Sequence, residues 1–288
     1  MGIFKSIGHG VLATLRRPRL VAVLWVVNIA YAAVAAFPLL AIVQAELGHS
    51  LLGSYVRPFD LMWVGEAVLK YRDALPALAG GILASAAAFL VLSVFLNGGI
   101  VGRLVDREGS SSVRAFFADC GLYFGRFARL FLASILFTVL TFGVVLRLLS
   151  ALTDLGLENA ATEWPLVILK NLHLLAALLL LSIVHMIFDY ARIAVVADGE
   201  AKALRALRHA VKFLMKRFFR AWALYALITA GLIAGTAVFH AGLGRLAGPG
   251  VPAIVLGLVW MQLHIVFRIW IKVLYFAAQA EFYRSHPY

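Results

Sequence analysis

The chain has 288 residues, 63% of them hydrophobic and only 14% charged, against about 45–50% apolar and about 25% charged in an ordinary soluble domain. Its 26 Lys and Arg outnumber 14 Asp and Glu, for a formal charge of +12. This balance excludes a soluble globular protein, puts the charges at the edges of membrane-buried segments and leaves no stretch for a separate soluble catalytic domain.

A spanning helix needs about 20 mostly apolar residues. Six segments qualify in chain order, at residues 20–43, 75–101, 130–149, 165–188, 221–239 and 252–276. Each is expected to be helical, because a lone strand would leave its backbone groups unpaired in lipid. The expected fold is therefore an all-α membrane protein, a single integral domain over residues 1–288 with six transmembrane helices and two basic amphipathic cytoplasmic helices in the connectors before the third and fifth spans. Before the first segment, Arg16, Arg17 and Arg19 and the small-residue run Ala32–Ala36 imitate a signal peptide. The apolar run continues through Phe37, Leu39, Leu40 and Ile42, a spanning length, so we read it as the first span. Met1-Gly2-Ile3-Phe4-Lys5-Ser6 also fits the short N-myristoylation pattern, which would matter only in a eukaryotic host.

Orientation follows from Lys and Arg, since basic loops stay in the cytoplasm. The N-terminal segment, the connectors after the second and fourth spans, and the last span with its tail hold 20 of the 26 basic residues on one side. Both termini are expected to be cytoplasmic.

The first outer connector, from Glu46 to Asp73, carries Leu61, Val64, Val68 and Tyr71 at helical spacing after Pro58. This predicts a short surface helix with Trp63 near the headgroups. The connector before the third span follows Ser110, Ser111 and Ser112 with an apolar stripe of Val113, Phe116, Phe117, Cys120 and Phe124. Cys120 is the only cysteine, which excludes an intrachain disulfide and any cysteine-based metal site. It reads as a small apolar filler, with acylation near the membrane as the alternative.

The connector before the fifth span repeats this plan. Asp198 is a plausible N-cap with Glu200 in the first turn, and Leu204, Leu207, Val211, Leu214 and Phe218 form a stripe. Arg205, Arg208, Lys212, Lys216, Arg217 and Arg220 supply the basic residues expected to meet anionic lipid, each worth about 1 kcal/mol near an anionic leaflet. Arg126-Phe127-Ala128-Arg129 and Arg217-Phe218-Phe219-Arg220 recur at an offset of 91 residues, as do Arg114 and Arg205. That offset suggests a parallel internal repeat. Gly98 with Gly102, and Gly231 with Gly235, have the spacing that lets helices approach closely, within the chain or between copies.

Ionisable residues within spans cost about 2.5–3.5 kcal/mol each on insertion scales. The candidates are Lys170, His173, His185, Asp189, His264, Arg268 and Lys272. Lys170 and Lys272 lie near span ends and can snorkel. His185, Asp189, His264 and Arg268 form the expected intramembrane polar cluster. A buried ion pair between Asp189 and Arg268 across the helices is expected, with Arg192, three residues along the helix of Asp189, as the competing partner. His185 and Asp189 are one turn apart, which suits proton transfer, but two groups are too few for a metal site. No His-Glu-x-x-His helix, Gly-x-Ser-x-Gly elbow or P-loop is present in the sequence. No catalytic residue, metal or cofactor is therefore assigned, and the spread of basic residues along membrane edges argues against nucleic acid.

Two segments carry a resemblance: Ala45-Glu46-Leu47-Gly48-His49-Ser50-Leu51 followed by Pro58-Phe59-Asp60, and Phe188-Asp189-Tyr190-Ala191-Arg192 followed by the basic stretch Ala203 to Leu214. With these the chain resembles uncharacterised bacterial multi-pass membrane proteins, across most of its layout. The resemblance implies a bacterial inner membrane and transfers no functional residue. The leading expectation is a non-catalytic inner-membrane protein that binds anionic lipid or a partner protein, with self-association open, in membrane organisation or assembly. The alternative is a small transporter or permease subunit using the intramembrane polar cluster.

Overall fold

The structure is a computed structural model that describes residues 2–47, 72, 75–106, 112–157, 164–200, 202–246 and 250–286. Seven helices are described: α1 (Ile3–Leu15), α2 (Pro18–Leu47), α3 (Leu75–Val105), α4 (Val113–Leu157), α5 (Trp164–Ala197), α6 (Ala203–Leu246) and α7 (Val251–Arg284). No strand occurs among the described residues. Six of the helices, α2 to α7, are long and apolar enough to cross a membrane, and each contains one of the apolar segments read from the sequence. The surface helix expected around Leu61 to Tyr71, with Trp63, lies outside the described residues, as does the side chain of Lys170.

The helices outrun the apolar segments. Helices α4 and α6, with 45 and 44 residues, carry the basic connector and the following span as one element. Ser112 starts α4 as its N-cap, its Oγ accepting the Ala115 amide at 3.1 Å. Helix α5 stops at Gly199, whose φ of +66° is a left-handed conformation that glycine adopts without Cβ strain. Gly250, at φ +114°, turns the chain into α7, where Pro252 occupies the first turn.

Contacts divide the chain into two compact units, residues 23–93 and residues 1–22 with 94–288. In the smaller unit Tyr31 of α2 meets α3, its hydroxyl bonding to Ser85 and its ring lying 5.2 Å from that of Phe89.

In the larger unit the dense core is confined to one end of the helices. Phe213 of α6 sits 5.3 Å from Tyr190 of α5 and 5.9 and 4.9 Å from Phe282 and Tyr283 of α7. All four rings are buried. Towards the other end large apolar side chains face outward, among them Val139, Leu140 and Val144 of α4, Leu174, Leu175 and Leu178 of α5, and Leu256, Leu258 and Val259 of α7. A soluble monomer does not expose apolar surface on this scale, whereas lipid is as apolar as leucine and makes it costless.

Two close helix contacts secure the core end. Helix α1, which is not among the segments read from the sequence, lies on the last part of α7. A Cβ built on Gly10 would stand 2.9 Å from the Ala278 backbone nitrogen, so only glycine lets the helices meet there. The second contact joins α3 to α4. Cβ atoms on Gly99 and Gly102 would strike Cys120 Sγ and Asp119 Oδ2, each at 2.5 Å. Gly98 and Gly102 thus pack within the chain, and Cys120 is fully buried against Gly99. Gly235 likewise receives the Phe267 ring, while Gly231 faces open space.

Candidate functional site

The first half of α6 is the most highly charged helical stretch. Its residues sort onto three faces. Ala206, Ala210, Phe213 and Leu214 are buried and form the side that packs on the core. Next around the helix come Leu207, Val211 and Phe218, half-buried, then Leu204 and Met215, each 79% exposed. The remaining arc carries Arg205, Arg208, Lys212, Lys216 and Arg220, all exposed. The stripe expected from the sequence, Leu204 to Phe218, is therefore shared: Leu214 packs inward beside Ala206 and Ala210, while Leu204 stays exposed.

A shallow groove of about 500 Å³ runs along this outer surface, floored by Leu204, Leu207 and Val211 and edged by Arg205, Arg208 and Lys212. Beyond it the helix bends at Arg217, whose φ of −139° and ψ of 26° leave the helical range. The bend falls where the basic segment gives way to the apolar run from Ala221. Arg217 does not join the outward basic arc. It is half-buried, lies 5.4 Å from the Phe213 ring centroid and donates to the His286 carbonyl at 3.4 Å.

The start of α6 is tied to the core from outside the helix. Asp198, expected to be its N-cap, instead accepts the Tyr283 hydroxyl at 2.6 Å on Oδ2. His209 Nδ1 stands 3.9 Å from both Asp198 and Glu200, which precedes the helix. The Lys202 carbonyl takes the Arg205 and Ala206 amides and opens the helix instead.

The intramembrane polar residues fall into two groups. In one, Asp189 Oδ1 receives Arg192 Nη1 at 2.6 Å, with both side chains largely buried. His185, one turn earlier, and Lys272 of α7 lie within electrostatic reach of the same carboxylate. His185 is itself exposed, with Nδ1 2.9 Å from the Leu181 carbonyl. In the other group His264 stacks on Phe239, with ring centroids 4.9 Å apart, and meets His240 at 5.8 Å. Arg268 is exposed one turn further along α7. The expected pairing of Asp189 with Arg268 is overturned: Arg268 points outward from α7, Asp189 pairs with Arg192 on its own helix, and Lys272 is the cation that α7 brings within electrostatic reach.

Sequence reasoning passed over a second buried ion pair, Arg103 Nε to Asp119 Oδ2 at 2.5 Å, with Asp106 Oδ2 3.5 Å from Arg103 Nη2. The glycine spacing at Gly98 and Gly102 was the available signal, because it brings α4 close enough for Asp119 to reach Arg103. No group of three or more His, Cys, Asp or Glu able to hold a metal ion occurs among the described residues. No family model, curated protein or solved structure matches the chain.

Proposed function

We propose that the protein is a non-catalytic inner-membrane protein that binds anionic lipid along the first half of α6, in the organisation or assembly of the membrane. The three-faced order of α6 carries this reading. One face holds the protein core, the next is apolar and exposed, and the third is basic. Such a helix suits a site at the membrane surface, with Leu204 and Met215 among acyl chains and Arg205, Arg208, Lys212 and Lys216 among headgroups. The groove between Leu207 and Arg208 has the matching mixture of an apolar floor and cationic rim. Helix α4 is the related amphipathic helix, and its length, close to that of α6, supports the parallel repeat. The 20 basic residues on one side support cytoplasmic termini.

The test uses the full chain in lipid nanodiscs of neutral phosphatidylcholine or of phosphatidylcholine with phosphatidylglycerol, followed by gentle extraction and native mass spectrometry. Retained phosphatidylglycerol is expected, falling at least tenfold when Arg205, Arg208, Lys212 and Lys216 are all replaced by glutamine, and falling also as salt rises. Equal retention of neutral lipid would overturn the reading. Reporter fusions at Ser6 and His286 should both report cytoplasm.

A further inference from the structure

Two cations and one carboxylate meet where α5 packs on α7. Asp189 Oδ1 takes Arg192 Nη1 at 2.6 Å, which makes a neutral pair. Lys272 of α7 lies within electrostatic reach of both members, attracted by Asp189 and repelled by Arg192. The other groups facing the carboxylate are His185, Tyr225 and Tyr275. His185 turns its Nδ1 to the Leu181 carbonyl at 2.9 Å, and Tyr275 shares its hydroxyl with Thr229. None of the three supplies a negative charge, so with His185 neutral the cluster carries one positive charge in excess.

Arg192 is largely buried and Lys272 half-buried. Among the described residues Lys272 makes no hydrogen bond, and the Arg192 side chain makes only the one to Asp189. An ammonium brings three N–H donors and a guanidinium five, far more than one carboxylate oxygen accepts. Drawing such groups out of water is costly unless counter-charge and acceptors replace it. A monovalent anion with two acceptor oxygens matches this set, because it neutralises the excess charge and can bridge the two cations. The arginine fork favours a carboxylate or a phosphate group as that anion. Asp189 repels an anion little, since its own charge is already paired with Arg192.

Lys272 follows Pro252, in the first turn of α7, by about 20 residues or about 30 Å of helix. With Pro252 at one edge of a hydrocarbon core of about 30 Å, Lys272 reaches the other edge, where headgroups and dissolved anions have access. We propose that Arg192 and Lys272 together bind a monovalent oxyanion, a phosphodiester or a carboxylate, with Asp189 holding Arg192 in place. The anion can belong to a lipid headgroup or to a free solute. The site lies between α5 and α7 and does not rest on the lipid binding proposed for α6.

The full-length protein in non-ionic detergent, at an ionic strength fixed with sodium chloride, is titrated with propionate, dimethyl phosphate and dihexanoyl phosphatidylglycerol. Thermal unfolding is followed by reaction of the buried Cys120 with a thiol dye. A saturable rise in melting temperature is expected. A midpoint for phosphatidylglycerol at least tenfold below that for dimethyl phosphate assigns the anion to a lipid headgroup; equal midpoints assign it to a free oxyanion. Lys272→Met removes the excess charge, so it should raise the melting temperature without added anion and abolish the response, a gain that misfolding cannot imitate. Lys272→Arg, which keeps the charge, should retain the response with a midpoint within about threefold of the native one. The four glutamine substitutions in α6 should leave the response unchanged, which separates failure of this site from failure of the α6 surface. No saturable rise with any of the three anions, an undiminished rise in Lys272→Met, or no rise in Lys272→Arg would overturn the proposal.

Discussion

Replacing Asp189 by asparagine tests the buried electrostatics most directly. The carboxylate lies 2.6 Å from Arg192 Nη1, with side-chain exposures of 15% and 13%, and Lys272 faces it from α7. At an effective dielectric constant of about 20, unit charges about 4 Å apart attract by about 4 kcal/mol. Removing one partner of such a pair typically costs about 3–5 kcal/mol, because the other stays buried without compensation. Asp189→Asn leaves two cations in that state and belongs at the upper end. Arg192→Gln leaves the carboxylate facing Lys272 and should cost less, about 2–3 kcal/mol. The two substitutions together should cost at least about 1.5 kcal/mol less than their sum, whereas Asp189→Asn with Arg268→Gln should add to within about 0.5 kcal/mol. Unfolding in detergent titrated with sodium dodecyl sulfate, followed by reaction of a thiol dye with Cys120, supplies the readout, because the only thiol is fully buried when folded. Additivity of Asp189 with Arg192, or strong coupling of Asp189 with Arg268, would refute the assignment.

Gly10→Ala should lift α1 from α7, since the new methyl would stand 2.9 Å from backbone that cannot move alone. A loss of about 1–3 kcal/mol and faster proteolysis within α1 are expected, against no change if the helices do not touch. Gln279 is fully buried, and among the described residues neither of its amide atoms has a hydrogen-bond partner. Gln279→Leu should therefore raise thermal stability by about 1–3 kcal/mol, and a fall in melting temperature would mean that the amide is satisfied in the membrane. Ser112→Ala should remove the cap of α4 at a cost of about 1 kcal/mol, seen as faster hydrogen exchange at the Ala115 amide.

What the sequence determined is what depends on local runs of residues. A run of about 20 apolar residues is enough to specify a helix that can cross a membrane, since lipid offers no other partner for its backbone. All six such helices were legible on that ground, as was the close approach at Gly98 and Gly102, because small-residue spacing is a property of one helix face. Tertiary structure decided which apolar residues face protein and which face outward. Hydrophobicity cannot separate these two surroundings when both are apolar, so the stripe on α6 divided unexpectedly: Ala206 and Ala210 pack inward while Leu204 points away. Small side chains let helices approach and gain contact there, and large ones lose little by facing lipid. The same limit hid α1, whose buried face is Ser6, Gly10 and Thr14, a pattern with no apolar stripe to read. Partner choice was equally beyond the sequence. Asp189 with Arg192 and Asp198 with Tyr283 depend on ångström-scale positions that only the packed helices fix, because several cations or donors lie within reach of each carboxylate along the chain.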